Sequence, residues 1–254
     1  YKEKNLEAYS SFAQVYDMFM DNVPYEEWSR YLIGLLKEYG IEDGLVADLG
    51  CGTGKITRLL SDAGYDMIGV DNAAEMLEIA REIQEDEERD DIWYLLQDMR
   101  ELELSGEVNA MVSICDSMNY ILEEEDLKEV FLRVKEYLQT GGIFIFDMNT
   151  LHKYRDMIGE TTIAENRDEG SFIWDNYFYE DEMVNEYELT LFIREENGLF
   201  RKYEETHYQR AYELDTVKRL IEEAGLMFVT AYDAFTREPV SKDSERMYII
   251  ARKE

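Results

Sequence analysis

Positive charge is what this chain lacks most. Against 58 Asp and Glu it carries 26 Lys and Arg, a formal net charge of −32 at pH 7. Neutralising phosphates takes Lys and Arg, so nucleic acid is not an expected partner, and an anionic membrane surface is disfavoured for the same reason. Acidic runs such as Glu85–Glu88 read as solvated faces. Cysteine is scarce too. Cys51 and Cys115 form no disulfide framework and suggest a reducing compartment, hence a cytoplasmic location. Two histidines beside two cysteines give no zinc-ligand spacing, so no metal is expected. Two prolines and no low-complexity run argue against long disordered linkers. No signal-peptide pattern opens the sequence, no apolar run approaches a membrane span, and no internal repeat is visible. The 254 residues that remain are enough to bury a full core, as one large domain or one domain with an insert.

The stretch Val46-Ala47-Asp48-Leu49-Gly50-Cys51-Gly52-Thr53-Gly54-Lys55 organises the rest. An apolar run, Leu45 to Leu49, stops at three alternate glycines, and a helical pattern follows with Ile56, Leu59 and Leu60 on one face. The order is strand, tight turn, helix. Bare glycine backbone and a helix N-terminus together suit a ligand at this turn. The spacing is G-x-G-x-G, with Lys55 where a dinucleotide site has its third glycine. A phosphate loop is absent as well, because Lys55 precedes Ile56 rather than Ser or Thr.

Around this turn the chain alternates. A helix over 25–39 buries Trp28, Tyr31, Leu32, Leu35 and Leu36 and ends at Gly40. Strands follow at 45–49, 67–70, 92–96, 108–114 and 143–147, with helices over 54–63, from Asn72 as a cap through Met76, Leu77, Ala80 and Ile83, and over 126–138. Thr140-Gly141-Gly142 reads as the turn into the fifth strand. Such alternation predicts a parallel sheet with helices on both faces, which binds ligands beyond the carboxyl ends of its strands. Between 160 and 210 the period becomes two, with Asn197-Gly198 as a hairpin turn, and three or so antiparallel strands are expected. A helix over 216–224 and strands at 227–235 and 246–251 close the chain.

The loop Asp48-Leu-Gly-Cys-Gly-Thr-Gly54 resembles the cofactor loop of class I S-adenosylmethionine-dependent methyltransferases. Asp71, Gln97-Asp98-Met99 and Cys115-Asp116-Ser117-Met118-Asn119-Tyr120 then fall at strand ends in the family's order. The resemblance covers roughly residues 45–150. It implies a Rossmann-like, seven-stranded, mostly parallel sheet completed by the C-terminal hairpin. The S-adenosylmethionine-binding domain would be 41–159 with 211–254, the helical lid 1–40, and the antiparallel insert at 160–210 a substrate cover. The run Phe12-Ala13-Gln14-Val15-Tyr16-Asp17 looks like the lid of small-molecule members, where a tyrosine closes over the cofactor; Tyr16 takes that role, with Tyr9 second. The segment Glu204–Arg210 resembles a small bacterial subgroup and, more distantly, sugar N-methyltransferases.

The resemblance distributes the site. A carboxylate can accept from both ribose hydroxyls, and Asp71, with Asn72 beside it, stands where the dinucleotide fold also places its ribose acid. Asp98 and Met99 match the adenine position, with Met76 or Ala73 against the ring. Asp48, Gly50, Cys51, Gly52 and the carbonyl of Cys115 surround the amino-acid tail. Asn119, Tyr120, Trp174, Tyr177 and His207 are the substrate candidates. His207 is the first choice of base, with Tyr16 as a second catalytic candidate, and Asp147, Asn119, Tyr120 and His152 are alternatives. The cysteines read as packing residues at the rim. The implied activity is methyl transfer to a small-molecule N or O acceptor by in-line displacement, in a monomer or homodimer. A non-catalytic S-adenosylmethionine-binding module, a protein or RNA methyltransferase, or a site for another nucleoside ligand are the rivals.

Overall fold

In the computed structural model, residues 23–195 and 197–254 are described. The segment with Tyr9, Phe12, Tyr16 and Phe19, and with it the expected tyrosine lid, lies outside them. Apolar residues three and four apart make α1 (Tyr25–Glu38), which buries Leu32, Leu35 and Leu36. Then β1 (Leu45–Leu49), α2 (Lys55–Asp62), β2 (Asp66–Asp71), α3 (Ala74–Asp86), β3 (Ile92–Leu96) and β4 (Val108–Ser113) alternate. The helix α4 (Glu124–Tyr137) leads directly into β5 (Leu138–Asn149). After an antiparallel excursion, α5 (Leu214–Glu223), β10 (Met227–Asp233) and β11 (Arg246–Arg252) complete the chain.

The main sheet runs β10-β11-β5-β4-β1-β2-β3. Strands β1 to β5 are mutually parallel, while β11 is antiparallel to both β5 and β10. Both faces are dry. Phe144 and Phe146 of β5 meet Val130, Phe131 and Val134 of α4 on one side. Ile143 and Ile145 join Leu32, Leu36 and Leu60 on the other. That two-sided burial is why the central strands are almost continuously apolar.

Two expectations are corrected. Thr140–Gly142 does not delay β5; the strand starts at Leu138, because Gly141 adopts φ +82° and the ladder continues through Gly141 N–H to Lys253 O and Lys253 N–H to Gly142 O. Asn72 does not cap α3. It is exposed, and the Asp71 carboxylate accepts the Ala73 N–H instead. The insert, expected with three or so strands, has four: β6 (Thr162–Asn166), β7 (Gly170–Tyr179), β8 (Val184–Arg194) and β9 (Phe200–Arg210), paired in that order. β9 packs on a 3₁₀ turn, Ser117–Tyr120, and β7 on a π-helical turn, Lys153–Ile158. Among the described residues no helix is long and apolar enough to cross a membrane.

One buried ion pair ties the C-terminal strand to the sheet centre. Arg246 Nη1 lies 2.5 Å from Asp147 Oδ2 and Nη2 lies 2.6 Å from Asp116 Oδ1. Burial raises the Asp147 carboxyl above its ordinary range, and Arg246 offsets part of that. Removing the cation would strand a buried carboxylate. Arg246→Met is therefore expected to cost about 3–5 kcal/mol in urea unfolding, and adding Asp147→Asn to it is expected to recover part of the loss.

Candidate functional site

The strand ends β1, β2, β3 and β4 converge on one cavity. After β1 the chain folds back over β2: the N–H groups of Gly50 and Cys51 both donate to Val70 O. This needs left-handed residues. Gly54 sits at φ +76°, and a Cβ there would come within 2.3 Å of the Tyr94 hydroxyl oxygen. Gly52, at φ +54°, is different: a Cβ there would meet nothing within 4 Å, because this backbone lines the cavity. The loop thus presents main chain, not side chains, to a ligand.

Carboxylates dominate the floor. Asp71 Oδ2 accepts the Gly52 N–H (2.7 Å) and Oδ1 the Ala73 N–H (2.9 Å), so one side chain fixes both the glycine loop and the start of α3. Burial raises its pKa against the pull of those N–H groups. Asp48 is buried and accepts a 2.7 Å bond from Thr57 Oγ1. Burial, opposed by Thr57 and assisted by the charge of Asp71, pushes its carboxyl up to about 7. Asp98 differs. Burial pushes it up, but Arg100 grips both oxygens at 2.5 and 2.9 Å and brings it below its ordinary value. Arg100 also reaches Asp126 at 3.1 Å. Met76, Ala73 and Met99 supply an apolar wall, and exposed Asn72 stands at the rim.

Beyond β4 the backbone is strained. Cys115 (φ +67°) and Asp116 (φ +54°) are consecutive non-glycine residues in the left-handed region. Asp147 over-determines them by accepting both N–H groups, at 3.3 and 2.7 Å. Both cysteine thiols are pushed well up by burial.

The structure brings Asp48, Gly50, Cys51, Gly52, Asp71, Asn72, Met76, Asp98, Met99, Cys115 and Tyr120 to the cavity. The acceptor-side residues divide. Tyr120 lines it, and its hydroxyl is 3.2 Å from His207 Nδ1; His207, 4% exposed, stands behind Tyr120 and not at the surface of the cavity. Asn119 does not line the cavity. It is fully buried, donates to the Asn149 and Arg210 carbonyls and accepts the Asn149 N–H. Trp174 shares the inner face of the insert with His207 but packs edge-on against Tyr187 at 4.7 Å. Tyr177, 40% exposed, points the other way, because it sits an odd number of residues from Trp174. Asp147 is saturated by Arg246 and two N–H groups, and His152 pairs with Asp156 on the π-helical turn; neither is placed as a base. Two residues were missed. Glu205 pairs with His207 Nε2 at 3.3 Å, and the period of two in β9 already placed them on one face. Arg246 reaches Asp147 across 99 positions, and no local pattern signals that.

Comparison with known proteins agrees with this geometry. The methyltransferase domain family matches residues 46–142. A putative methyltransferase of Geobacillus sp. (strain WCH70) is 34% identical over 247 residues, covering 97% of this chain and 100% of that protein. The putative methyltransferase YqeM of Bacillus subtilis (strain 168) is 32% identical over 96% of this chain and 97% of its own length. A solved S-adenosylmethionine-dependent methyltransferase from Clostridium acetobutylicum superposes with a TM-score of 0.85 at 27% identity, covering 96% of this chain and 98% of that one. Further relatives include a glycine/sarcosine N-methyltransferase of Aphanothece halophytica (28% identical, 89% of this chain and 81% of that protein). A protein arginine N-methyltransferase of Dictyostelium discoideum matches 58% of this chain and 42% of its own length at 30% identity. The sugar N-methyltransferase KedS8 of Streptoalloteichus shares the fold at 14% identity (TM-score 0.76; 94% and 93% covered). The chain belongs to the class I S-adenosylmethionine-dependent methyltransferases, and S-adenosylmethionine is its cofactor.

Asp48 makes the ligand-free protein sensitive to pH. With a pKa of about 7 folded and 3.8 unfolded, the folded chain holds a proton that the unfolded chain has lost. Stability therefore falls as pH rises from about 4 to 7, and the cost is complete above that. Asp48→Asn removes it. In ligand-free thermal or urea unfolding the variant is expected to gain on the order of 3–4 kcal/mol at pH 8 over the parent, and the gain is expected to vanish toward pH 4.

Proposed function

We propose that this methyltransferase acts on a small molecule carrying a nucleophilic nitrogen or oxygen. The observation that carries the reading is the antiparallel sheet. β9 packs on the Ser117–Tyr120 turn, whose Ser117 and Tyr120 line the cavity, and in this reading the four-stranded sheet narrows the acceptor side against a polymer substrate. The glycine/sarcosine N-methyltransferase relative supports it, and the sugar N-methyltransferase shares the fold. The protein arginine relative points to the rival reading, but it matches only 58% of this chain.

The cavity residues fit the cofactor. In this reading Asp71 accepts the ribose hydroxyls, Asp48 faces the ammonium group, and the backbone of Gly50 to Gly52 borders the amino-acid tail. Met76, Ala73 and Met99 hold the adenine, with Asp98 at its edge and Asn72 at the rim. The carbonyl of Cys115, set by its left-handed turn, borders the reacting centre. Tyr16, outside the described residues, keeps its proposed place in a lid. The bound cofactor supplies an electrophilic methyl group; the protein supplies orientation and a site with little water, which account for much of the rate.

The test is to incubate the protein with methyl-labelled S-adenosylmethionine and separate small-molecule, protein and RNA fractions of a cell extract. Label in the small-molecule fraction is expected. Label only in protein or RNA overturns the reading, and no transfer despite cofactor binding leaves a binding module. The ribose assignment is checked separately. Asp71→Ala is expected to weaken S-adenosylhomocysteine binding roughly 10- to 100-fold by calorimetry, as for loss of a charged hydrogen-bond partner, and unchanged affinity removes it.

A further inference from the structure

We infer that Tyr120, His207 and Glu205 form a relay that takes a proton from an ammonium group on the acceptor, with Tyr120 as the catalytic residue. The inference rests on the small-molecule reading above and narrows the acceptor to an amine. Three side chains from two distant segments stand in line. Tyr120 lines the cavity, its hydroxyl lies 3.2 Å from His207 Nδ1, and His207 Nε2 lies 3.3 Å from Glu205 Oε2. The outer two partners are shielded from water, Glu205 at 8% and His207 at 4% exposure. Strand alternation puts both on the inner face of the insert, with Leu189 and Tyr187 directly across from them on β8.

The direction of the chain follows from what each group can do. Glu205 Oε2 lies 3.3 Å from His207 Nε2 without hydrogen-bond geometry, so its influence there is electrostatic, and the relay takes the tautomer with the hydrogen on Nε2. Nδ1 is then the acceptor, and the Tyr120 hydroxyl donates to it. The donor end of the line is the tyrosine and the sink is the histidine. As the acceptor's ammonium proton moves to the Tyr120 oxygen, the phenolic proton passes to His207 Nδ1. The resulting imidazolium is stabilised by the carboxylate beside it. The nitrogen's lone pair, now free, forms the new C–N bond, and the electron pair of the broken C–S bond stays with sulfur. The positive charge moves from sulfur to the methylated nitrogen, and after product leaves the relay releases its proton through Tyr120 to water entering the emptied cavity.

The chemistry favours an amine over other acceptors. A carboxylate or phosphate is already ionised near neutral pH and has no proton to give up. An aliphatic amine is protonated there, and a surface with a net charge of −32 concentrates such cations. His207 and Glu205 do not touch the acceptor in this scheme; they position Tyr120 and hold its proton.

The chain contains two histidines, so imidazole nitrogen NMR can test the relay directly, with His152 assigned by His152→Gln. On the full chain saturated with S-adenosylhomocysteine at pH 8, His207 is expected as the Nε2–H tautomer. Tyr120→Phe is expected to move the Nδ1 resonance and leave Nε2 nearly in place, and Glu205→Gln the reverse. An Nδ1–H tautomer, an imidazolium at pH 8, or an Nδ1 signal indifferent to Tyr120→Phe overturns the relay, whatever the acceptor proves to be. With the acceptor found by methyl labelling, Tyr120→Phe is expected to lower kcat roughly 10²- to 10⁴-fold with S-adenosylhomocysteine affinity unchanged. Glu205→Gln is expected to lower kcat and shift its pH profile without raising KM. Full activity of Tyr120→Phe on a small molecule overturns the relay and leaves the broader reading standing, whereas label only in polymers overturns the small-molecule reading and with it the small-amine acceptor, leaving the hydrogen-bonded geometry to the tautomer measurement.

Discussion

The Arg246 guanidinium is the point at which the parts of this molecule are fastened together. It begins β11, yet its two terminal nitrogens are spent on Asp147 at the end of β5 and Asp116 beyond β4. Its plane also lies over Trp28 of α1, 5.2 Å from the ring. From Asp116 the line continues. Gln209 Nε2 donates to its second oxygen, Tyr154 donates to Gln209 Oε1, and Asn149 donates to Tyr154. Main sheet, π-helical turn and insert therefore share one hydrogen-bonded network, to which the helical layer adds a cation–π contact. Such a network holds only when nearly every member is satisfied, because a single unpaired buried charge costs several kcal/mol.

That fastening has a local consequence. Two successive left-handed residues without glycine are costly, on the order of 1–3 kcal/mol each. Glycine at 115 or 116 would remove the strain, but Asp116 is needed for Arg246 and Gln209. The same turn leads straight into Ser117–Tyr120, which carries Tyr120 at the cavity and Asn119 in the core. The two ends of one 3₁₀ turn, Ser117 and Tyr120, thus face the cavity while Met118 and Asn119 between them are buried in the scaffold.

Much of this was legible in the sequence because it is local. The strands at 45–49 and 92–96 and the glycine loop depend on neighbours within a few residues, and their apolar runs and breaks show directly. The strand ends of a parallel sheet gather by topology, so Asp71 and Asp98 were findable from order alone. The errors are of another kind. Asn119 looks like a polar group at a strand end, and only the arrival of β9, about ninety residues later, makes it a buried connector. Tyr177 is aromatic and in the right segment, but its parity puts it with Glu186 and Tyr208, away from His207. Counting by twos from His207 through the pairing would have excluded it, yet that requires the register, which is a tertiary fact. Glu205 is the converse case, visible by counting within β9 alone.

The negative charge acquires a purpose at the cavity. Asp48, Asp71, Asp98 and Asp126 all line it, and Arg100 is committed to the last two. The two unneutralised carboxylates are Asp48 and Asp71, each carrying a pKa raised by burial. In the proposed reading, a sulfonium cofactor with an ammonium tail is a ligand whose charge would relieve that cost, so part of the binding energy would come from these carboxylates. The proposed amine acceptor brings a second cation to the same place. Two unit charges about 4 Å apart repel by roughly 4 kcal/mol in a partly shielded site. Moving the amine's proton through Tyr120 to His207 places that charge beside Glu205, behind the cavity wall, before the nitrogen approaches the methyl group. The relay would then do two things with one transfer, freeing the lone pair and removing the repulsion that opposes its approach.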